Sequence, residues 1–292
     1  MDNQSQRRTD VWFITGASKG LGLTLVKQLL AQGARVAATS RNADDLRQAV
    51  GADTNPNFLP LAVDLVAEAS VQQAVQATIG QFGRIDVVVN NAGYGQFGSL
   101  EELSDAEART NFDINVFGSL NVIRQVLPQL RQQQSGHIMN LSSIAGFLGT
   151  FPGFGVYCAT KFAVEGFSEA LSAEVKPFGI KVTIVEPGYF RTEFLSSGSF
   201  GIPQQPIAAY ESVRQMQDAH QNQISGNQPG DPEKAVAGMI AIAAEPNPPL
   251  HLFLGQDAYD MAFAKIDSVR NDLETWQAMS VSMEFDGVET AN

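Results

Sequence analysis

The chain has 292 residues, of which 44% are hydrophobic and 17% charged, so it can bury a large core and is neither disordered nor fibrous. Its net charge of −12 opposes binding to nucleic acid or anionic lipid. The single cysteine, Cys158, excludes an intramolecular disulfide and a multi-cysteine zinc site, and no HExxH pair is present, so we predict no metal. No signal peptide or membrane-length apolar run is recognisable, and we expect a cytoplasmic protein.

Short β-branched runs alternate with longer amphipathic runs, the pattern of parallel strands joined by helices. The predicted strands are residues 11–15, 35–40, 57–63, 85–90, 136–141, 180–185 and 250–254. The predicted helices are residues 21–32, 70–82, about 106–133, 156–176 and 233–244. The sequence therefore predicts an α/β fold: a doubly wound, parallel, seven-stranded sheet with helices on both faces.

No internal repeat or linker divides the chain, so we predict one domain over residues 1–292. Residues 192–231 are interrupted repeatedly by Gly, Ser, Pro and Gln around a helical stretch near 207–224, which favours a substrate lid over a disordered insertion. From about residue 267 to 292 the chain is polar, and we predict a terminal helix with a frayed end.

The first predicted strand runs through the glycine-rich segment 16–22 directly into a helix, which is the context of a phosphate-binding loop. Gly16 permits a tight turn, Gly20 lets backbone N–H groups approach a pyrophosphate, and Gly22 allows close packing of helix on strand. No Gly-Lys-Ser/Thr follows at the P-loop interval, which disfavours a nucleoside triphosphatase.

The second predicted strand ends at Ser40 and Arg41, where NAD-binding folds place an acid that binds the adenosine ribose diol. With no acid there, Arg41 and Lys19 are candidates to flank a ribose 2′-phosphate. The sequence thus favours NADP(H), with NAD(H) as the alternative if Arg41 is only a solvated surface residue.

Two further strand ends are candidates for the same site, because ligands of open parallel sheets bind at the carboxyl ends of the strands. Asp64 and Leu65 follow the third predicted strand, where an adenine amino group can find an acceptor. Asn91, Ala92 and Gly93 follow the fourth and suit a turn close beneath a cofactor, although this stretch alone is equally compatible with a plain turn.

Tyr157 and Lys161 are four residues apart on a predicted helix, so their side chains share one face. A phenol needs a pKa well below its usual value of about 10 to exchange protons at neutral pH. A cation at about 4 Å supplies about 4 kcal/mol at an effective dielectric near 20, enough for a shift of this size. Ser143 ends a strand and is placed to bind a substrate carbonyl, with Ser142 as a less favoured alternative.

With these motifs in order across residues 11–192, the chain resembles the short-chain dehydrogenase/reductase family and its Rossmann-like fold. The resemblance implies that Tyr157 is the general acid/base, that Lys161 holds the nicotinamide ribose and lowers the tyrosine pKa, and that Ser143 orients the carbonyl. It also implies that Asn115 organises a water of the proton relay. The cofactor-binding residues so predicted are Gly16, Ser18, Lys19, Gly20, Leu21, Gly22, Ser40, Arg41, Asp64, Leu65, Asn91, Ala92, Gly93, Tyr157, Lys161, Pro187, Gly188 and Thr192.

The expected function is an NADP(H)-dependent oxidoreductase acting on a carbonyl compound or secondary alcohol; the alternative is a non-catalytic NADP(H)-binding regulator. A Ser hydrolase is disfavoured because no Gly-x-Ser-x-Gly elbow is present. Aromatic residues predicted near the pocket favour an apolar or aromatic substrate, or belong to the core or a subunit contact. They are Tyr94, Phe97, Phe147, Phe151, Phe154, Tyr189, Phe194 and Phe200. The stretch that contains them is also similar to the hydroxysteroid and retinol dehydrogenase members of the family, which leaves steroid, retinoid, fatty-acyl and xenobiotic ketones open as substrates. The family resemblance also implies a homodimer or homotetramer paired through the helices at 106–133 and 156–176.

Overall fold

The computed structural model describes residues 10–52, 54–195, 199–283 and 285. Its main sheet is wholly parallel, with strand order β3-β2-β1-β4-β6-β7-β9, which confirms the predicted doubly wound α/β fold. The strands of this sheet are β1 (Val11–Ile14), β2 (Arg35–Ser40), β3 (Phe58–Ala62), β4 (Val87–Asn90), β6 (Gly136–Leu141), β7 (Ile180–Pro187) and β9 (His251–Leu254). Strand order reverses direction between β1 and β4, the position at which such sheets bind ligands.

Helices cover both faces of the sheet. They are α1 (Gly20–Ala31), α2 (Ala43–Val50), α3 (Glu68–Phe82), α4 (Asp105–Phe112), α5 (Gly118–Gln133), α6 (Ile144–Phe147), α7 (Gly155–Val175), α8 (Glu211–Asp218), α9 (Pro232–Ala243), α10 (Gln256–Thr275) and α11 (Gln277–Ser280). Helices α3, α5 and α7 contribute to the core on one face, and α1, α2 and α9 to the core on the other. Most residues of the five inner strands are buried, which explains their nearly continuous apolar sequence, whereas the edge strands β3 and β9 are mostly half-buried.

The long helix predicted at 106–133 is present but changes its winding in the middle. A π-helical turn, Asp113–Phe117, joins α4 to α5. Such a turn adds a residue to the helical ladder and frequently marks a functional site. Here it carries Asn115 into the interior, where the side chain is 1% exposed.

The C-terminal prediction needs correction, because the last long helix starts well before residue 267. Helix α10 begins at Gln256, directly after Gly255, and buries Ala258 and Ala262 against the domain. The same helix exposes several large apolar side chains, among them Tyr259, Phe263 and Leu273. The predicted frayed end falls mainly on residues 284 and 286–292, outside the described residues. In the described part of the chain, no helix combines the length and apolarity needed to span a bilayer.

A buried histidine in β6 makes folding sensitive to acid. His137 Nε2 lies 2.9 Å from Thr183 Oγ1, and the Thr183 hydroxyl donates to the Pro249 carbonyl, so the imidazole donates from Nε2. Its Nδ1 is buried with no hydrogen-bond partner among the described residues. Burial, assisted by Lys181, lowers the pKa of His137 to about 4.

We therefore expect stability to be lost in acid through His137. The unfolded histidine, with a pKa near 6.5, binds a proton that the folded protein excludes. The contribution of His137 to the free energy of unfolding therefore has its full value above pH 6.5 and falls as the pH is lowered towards 4. The loss amounts to about 3 kcal/mol. Urea unfolding at several pH values should show a smaller loss over this range in His137→Gln, which keeps a donor for Thr183. An equal loss in both proteins would contradict the prediction.

Candidate active site

A cavity of about 680 Å³ opens at the carboxyl ends of the strands, within the size range of cofactor and substrate sites. It extends from Arg41 and Asp64 at one end to Tyr157 and His220 at the other. Most of the predicted site residues line it. Gly22 and Asn115 do not, because both are buried behind the cavity wall.

The glycine-rich loop leaves no room for side chains at two of its positions. Gly16 has a φ of +65°, and a Cβ atom there would lie 2.6 Å from the Ala92 Cα. A Cβ at Gly22 would lie 2.5 Å from Asn91 Nδ2. That amide donates hydrogen bonds of 2.9 Å to the carbonyls of Thr15 and Gly16, so the predicted Asn91 turn ties the glycine loop to the end of β4.

The loop delivers the N-terminus of α1 to the cavity. Lys19 is the N-cap residue, and its side chain makes no capping hydrogen bond to the helix. The first N–H groups of a helix lack intrahelical partners and carry the positive end of the helix dipole. We call this site, formed by residues 16–22, the phosphate cradle. It opens into the cavity and has no side chain at Gly20, so it fits the pyrophosphate of a dinucleotide. Thr192 lies next to Gly20: the Thr192 Cβ is 3.7 Å from the position that a Cβ atom on Gly20 would occupy.

The residues that follow strands β2 and β3 place charges of both signs at the rim of the cavity. Arg41 is exposed and lines the cavity, as does the partly buried Lys19. The exposed Asp64 accepts a 3.0 Å hydrogen bond from the Val66 N–H. The carbonyl of Leu65 accepts from Asn121 Nδ2 at 2.7 Å, which anchors this strand end to α5.

Asn115 connects the loop after β4 to helix α7 through hydrogen bonds. Its Oδ1 accepts from the Tyr94 N–H at 3.0 Å, and its Nδ2 donates to the Tyr94 carbonyl and to Thr160 Oγ1, both at 3.0 Å. A Cβ at Gly93 would lie 3.1 Å from the same Oδ1 and 3.6 Å from Lys161 Nζ. The absence of a side chain at Gly93 therefore lets Asn115 and Lys161 approach one another.

The two adjacent serines at the end of β6 point in different directions. Ser143 caps α6, accepting from the Ala145 N–H at 3.2 Å, and its hydroxyl is near enough to the Tyr157 phenol to lower the pKa of that group. Ser142 is buried and donates at 3.4 Å to the backbone carbonyl of Lys161. The geometry brings Ser143 rather than Ser142 to the tyrosine. The four-residue helix α6 occupies part of the interval between Ser143 and Tyr157.

Burial dominates the ionisation of the Tyr157 and Lys161 pair. Lys161 Nζ donates to the Leu141 carbonyl at 2.8 Å and lies 5.8 Å from the centre of the Tyr157 ring. Burial raises the pKa of Tyr157 above its usual value, although the Ser143 hydrogen bond opposes the rise. Burial also lowers the pKa of Lys161 to about 8, against the opposing charge of Glu165. The lowered tyrosine pKa expected from the sequence is not found in this arrangement, because burial of the phenol raises its pKa.

The substrate end of the cavity is aromatic. Of the eight aromatic residues predicted there, Tyr94, Phe151, Phe154, Tyr189, Phe194 and Phe200 line the cavity. Phe97 does not, because it is fully buried beneath Phe154 and Phe200, with ring centres 5.0 and 5.6 Å away. Phe147 packs instead on Phe253 of β9, at 5.3 Å.

The sequence analysis missed His220, a buried polar residue of this aromatic wall. It lies in a π-helical turn, Ala219–Ile224, and lines the cavity. Its Nδ1 donates to the Met216 carbonyl and its Nε2 accepts from the Tyr189 hydroxyl, each at 2.9 Å. No spacing signal marks this histidine, since its partner is 31 residues away in sequence.

Among the described residues of the predicted lid segment, several contacts attach it to the body of the domain. Strand β8 (Phe200–Gly201) pairs in parallel with β5 (Gly95–Gln96). The Arg214 guanidinium forms an ion pair of 2.7 Å with Glu102, whose side chain is fully buried. Glu102 also accepts from the Ile207 N–H at 2.7 Å. Ser199, Phe200, Gly201, His220 and Gln228 of this segment line the cavity, and residues 196–198 lie outside the described chain.

The comparison with known proteins agrees with this geometry. Residues 10–199 match the family model described as short chain dehydrogenase. The chain is 38% identical over 257 residues to 3-ketodihydrosphingosine reductase of Bacteroides thetaiotaomicron, covering 87% of this chain and 91% of that protein. A short-chain dehydrogenase structure from Streptomyces avermitilis is 38% identical with a TM-score of 0.86, covering 95% of this chain and all of the other.

The fold is also that of the 3-ketoacyl-(acyl-carrier-protein) reductase from Brucella melitensis, whose structure is complexed with NADH. That chain is 23% identical, with a TM-score of 0.69 over 84% of this chain and 96% of its own. The chain belongs to the short-chain dehydrogenase family of oxidoreductases. The seven-stranded parallel sheet with helices on both faces is the fold of the similar short-chain dehydrogenase structure.

Proposed function

We propose that the protein is an NADP(H)-dependent oxidoreductase that interconverts a carbonyl compound and a secondary alcohol. The observation that carries this proposal is the convergence of Ser143, Tyr157 and Lys161 on one cavity that starts at a side-chain-free phosphate cradle. The cofactor would be held at its pyrophosphate by residues 16–22, under its nicotinamide half by Asn91, Ala92 and Gly93, and at its far side by Pro187, Gly188 and Thr192.

The bound cofactor would supply or accept the hydride, and the chain's own residues would orient the substrate and move the proton. Ser143 and Tyr157 would each donate a hydrogen bond to the substrate oxygen. The raised pKa of Tyr157 keeps its phenol protonated before the reaction, and donation of that proton to the substrate oxygen would require a nearby positive charge to stabilise the phenolate. Lys161 would bind the nicotinamide ribose and stabilise the phenolate that forms, and Asn115 would hold the loop that carries Tyr94.

The substrate we propose is apolar or aromatic. The cavity wall beside Tyr157 consists mainly of Phe151, Phe154, Phe194 and Phe200, which favours hydrocarbon or ring contacts over a sugar or a charged acid. The name of the Bacteroides relative, a ketone reductase acting on a long-chain base, points the same way. The Tyr189–His220 pair would offer one hydrogen-bonding position within this apolar wall.

Preference for NADP(H) rests on Arg41 and is directly measurable. We expect Arg41→Asp to weaken NADPH binding at least about tenfold and to change NADH binding far less, since a hydrogen bond to a charged group contributes roughly 1.5–3 kcal/mol. Isothermal titration with each cofactor measures both constants. Arg47→Asp is the matched control, because it makes the same charge change on α2, where Arg47 pairs with Asp44. Equal NADH and NADPH affinities, unaffected by Arg41→Asp, would contradict the phosphate site and favour NAD(H).

A panel of apolar and aromatic ketones with NADPH, followed by absorbance of the reduced cofactor, tests the catalytic proposal. Turnover of any member supports an enzyme. No turnover together with tight NADPH binding and capture of a protein partner would instead support the second candidate, a non-catalytic NADP(H)-binding regulator. The complete set of Ser143, Tyr157 and Lys161 favours the enzyme, because a sensor has no need of a proton donor.

We also propose a homodimer or homotetramer formed through the helices at 106–133 and 156–176. Phe117 and Phe162, which lie on these helices, are 52% and 45% exposed, as expected of residues covered by another subunit. One domain with a lid at about 192–231, a cytoplasmic location and no nucleic-acid partner complete the proposal.

A further inference from the structure

A second cluster of ionisable groups lies behind the cavity, outside its lining. It consists of Glu165 on α7, one helical turn after Lys161, together with Glu186 on β7 and His251 on β9. One ligand atom from each lies within 4.8 Å of the others. His251 Nδ1 is 3.3 Å from Glu186 Oε1 and 3.8 Å from Glu165 Oε2. The mechanism proposed above uses none of these three side chains.

The two carboxyl groups are too buried to be ionised together. Glu165 is 6% exposed and Glu186 is fully buried. In the described part of the chain, both oxygens of Glu165 and Oε2 of Glu186 lack a hydrogen-bond partner of ordinary geometry. His251 Nδ1 reaches only Oε1 of Glu186, at 3.3 Å, and two adjacent, buried negative charges are very unfavourable. Burial accordingly raises the pKa of both carboxyls, and the charge of Glu165 adds to the rise at Glu186. One proton held between the two carboxyls would leave the pair with a single negative charge.

The groups that face this pair come from every neighbouring element. Lys161 precedes it on α7, the Ser142 hydroxyl adjoins Glu165, and the Leu252 backbone N–H of β9 adjoins Glu186. Glu169 lies at the surface, 4.0 Å from His251 Nε2. Among these groups Lys161 is the buried cation. Its charge favours one negative charge on the pair and disfavours a bound metal ion, which would add a second cation beside it.

We propose that Glu165 and Glu186 form an acid pair that shares one proton, and that the single negative charge of this pair is the counterion that keeps Lys161 protonated. Glu165 is then a positioning residue acting through Lys161, not a residue that touches the substrate. This inference rests on the proposed function only for its catalytic consequence. The shared proton and the charge on Lys161 are measurable without substrate or cofactor.

The ionisation of Lys161 gives the decisive measurement. The full-length protein, labelled with ¹³C at lysine Cε, is titrated by NMR, and the Lys161 signal is assigned by its loss in Lys161→Arg. We expect Glu165→Gln to lower the pKa of Lys161 by about one unit or more, because the nearest opposite charge is removed. Glu186→Gln should shift it much less, since its amide can donate to an ionised Glu165. Glu165→Asp, which retains the charge, should keep the pKa of Lys161 close to its wild-type value.

Glu169→Gln is the control for net charge, because it removes a surface carboxylate next to the same cluster. It should leave the Lys161 titration unchanged. An unshifted Lys161 in Glu165→Gln, or equal shifts in Glu165→Gln and Glu169→Gln, would overturn the counterion role.

Infrared spectroscopy tests the shared proton itself. At neutral pH the wild-type protein should show the C=O band of a buried, protonated carboxyl, and the Glu165→Gln/Glu186→Gln double variant should lack it. Absence of the band in the wild type, or a stoichiometric divalent metal in the purified protein that Glu186→Gln loses, would overturn the proposal. If the NMR and infrared results hold while Tyr157→Phe retains turnover, the acid pair stands and the proposed function fails.

Discussion

Replacing Tyr157 by Phe is expected to reduce kcat by about two to four orders of magnitude, because a positioned general acid contributes roughly 10²–10⁴ to the rate. The variant loses only the phenolic oxygen. Its ring still contacts Phe154 and Phe194, whose centres lie 6.2 and 5.9 Å away, so fold and pocket shape are retained. Steady-state turnover of the best ketone from the substrate panel measures the loss. NADPH titration should show a nearly unchanged dissociation constant.

Tyr259→Phe is the matched control for this experiment. Tyr259 is 55% exposed on α10, and its phenol lies outside the cavity. Its removal should leave both kcat and cofactor binding unchanged. Turnover above about a hundredth of the wild-type rate in Tyr157→Phe would show that the proton comes from elsewhere, because the lower limit of general-acid catalysis is about 10².

Gly16→Ala is expected to abolish binding of NADPH and to lower the free energy of unfolding by about 2–5 kcal/mol. A left-handed backbone costs an L-residue roughly 1–2 kcal/mol, and overpacking a tight contact costs about 1–3 kcal/mol. Both apply here, since φ is +65° and the new Cβ would meet the Ala92 backbone at 2.6 Å. Movement of either loop to relieve the contact would open the phosphate cradle.

Gly33→Ala separates the two contributions. Gly33 also has a positive φ, +82°, but its Cβ would meet nothing within 4 Å. Its loss of unfolding free energy should therefore be limited to the backbone cost of roughly 1–2 kcal/mol, with NADPH binding retained. Urea unfolding and isothermal titration of both variants test this pair. Equal losses of stability and unimpaired binding in Gly16→Ala would disprove the close approach of the two loops.

Several elements were beyond prediction because their sequences carry no long periodic signal. Helix α6 has four residues and strands β5 and β8 have two each, too few for a hydrophobic pattern. The short helix α2 was not predicted, although Asn42 caps it by accepting from the Asp44 N–H at 2.9 Å. The start of α10 was not predicted either, although Ala258 is buried against the domain. The rings of Phe97 and Phe147 were expected in the pocket, yet packing turned them into the core and onto β9.

The sequence by itself determined the order of strands and helices, the glycine-rich loop and the spacing of Ser143, Tyr157 and Lys161, because these depend on local periodicity, turn chemistry and helix geometry. Only the tertiary structure decided how the site ionises and which polar groups meet. The Tyr189–His220 pair and the Glu165–Glu186 pair join residues brought together by folding, 31 and 21 positions apart. Burial, which no local pattern reports, raises the pKa of Tyr157 instead of lowering it.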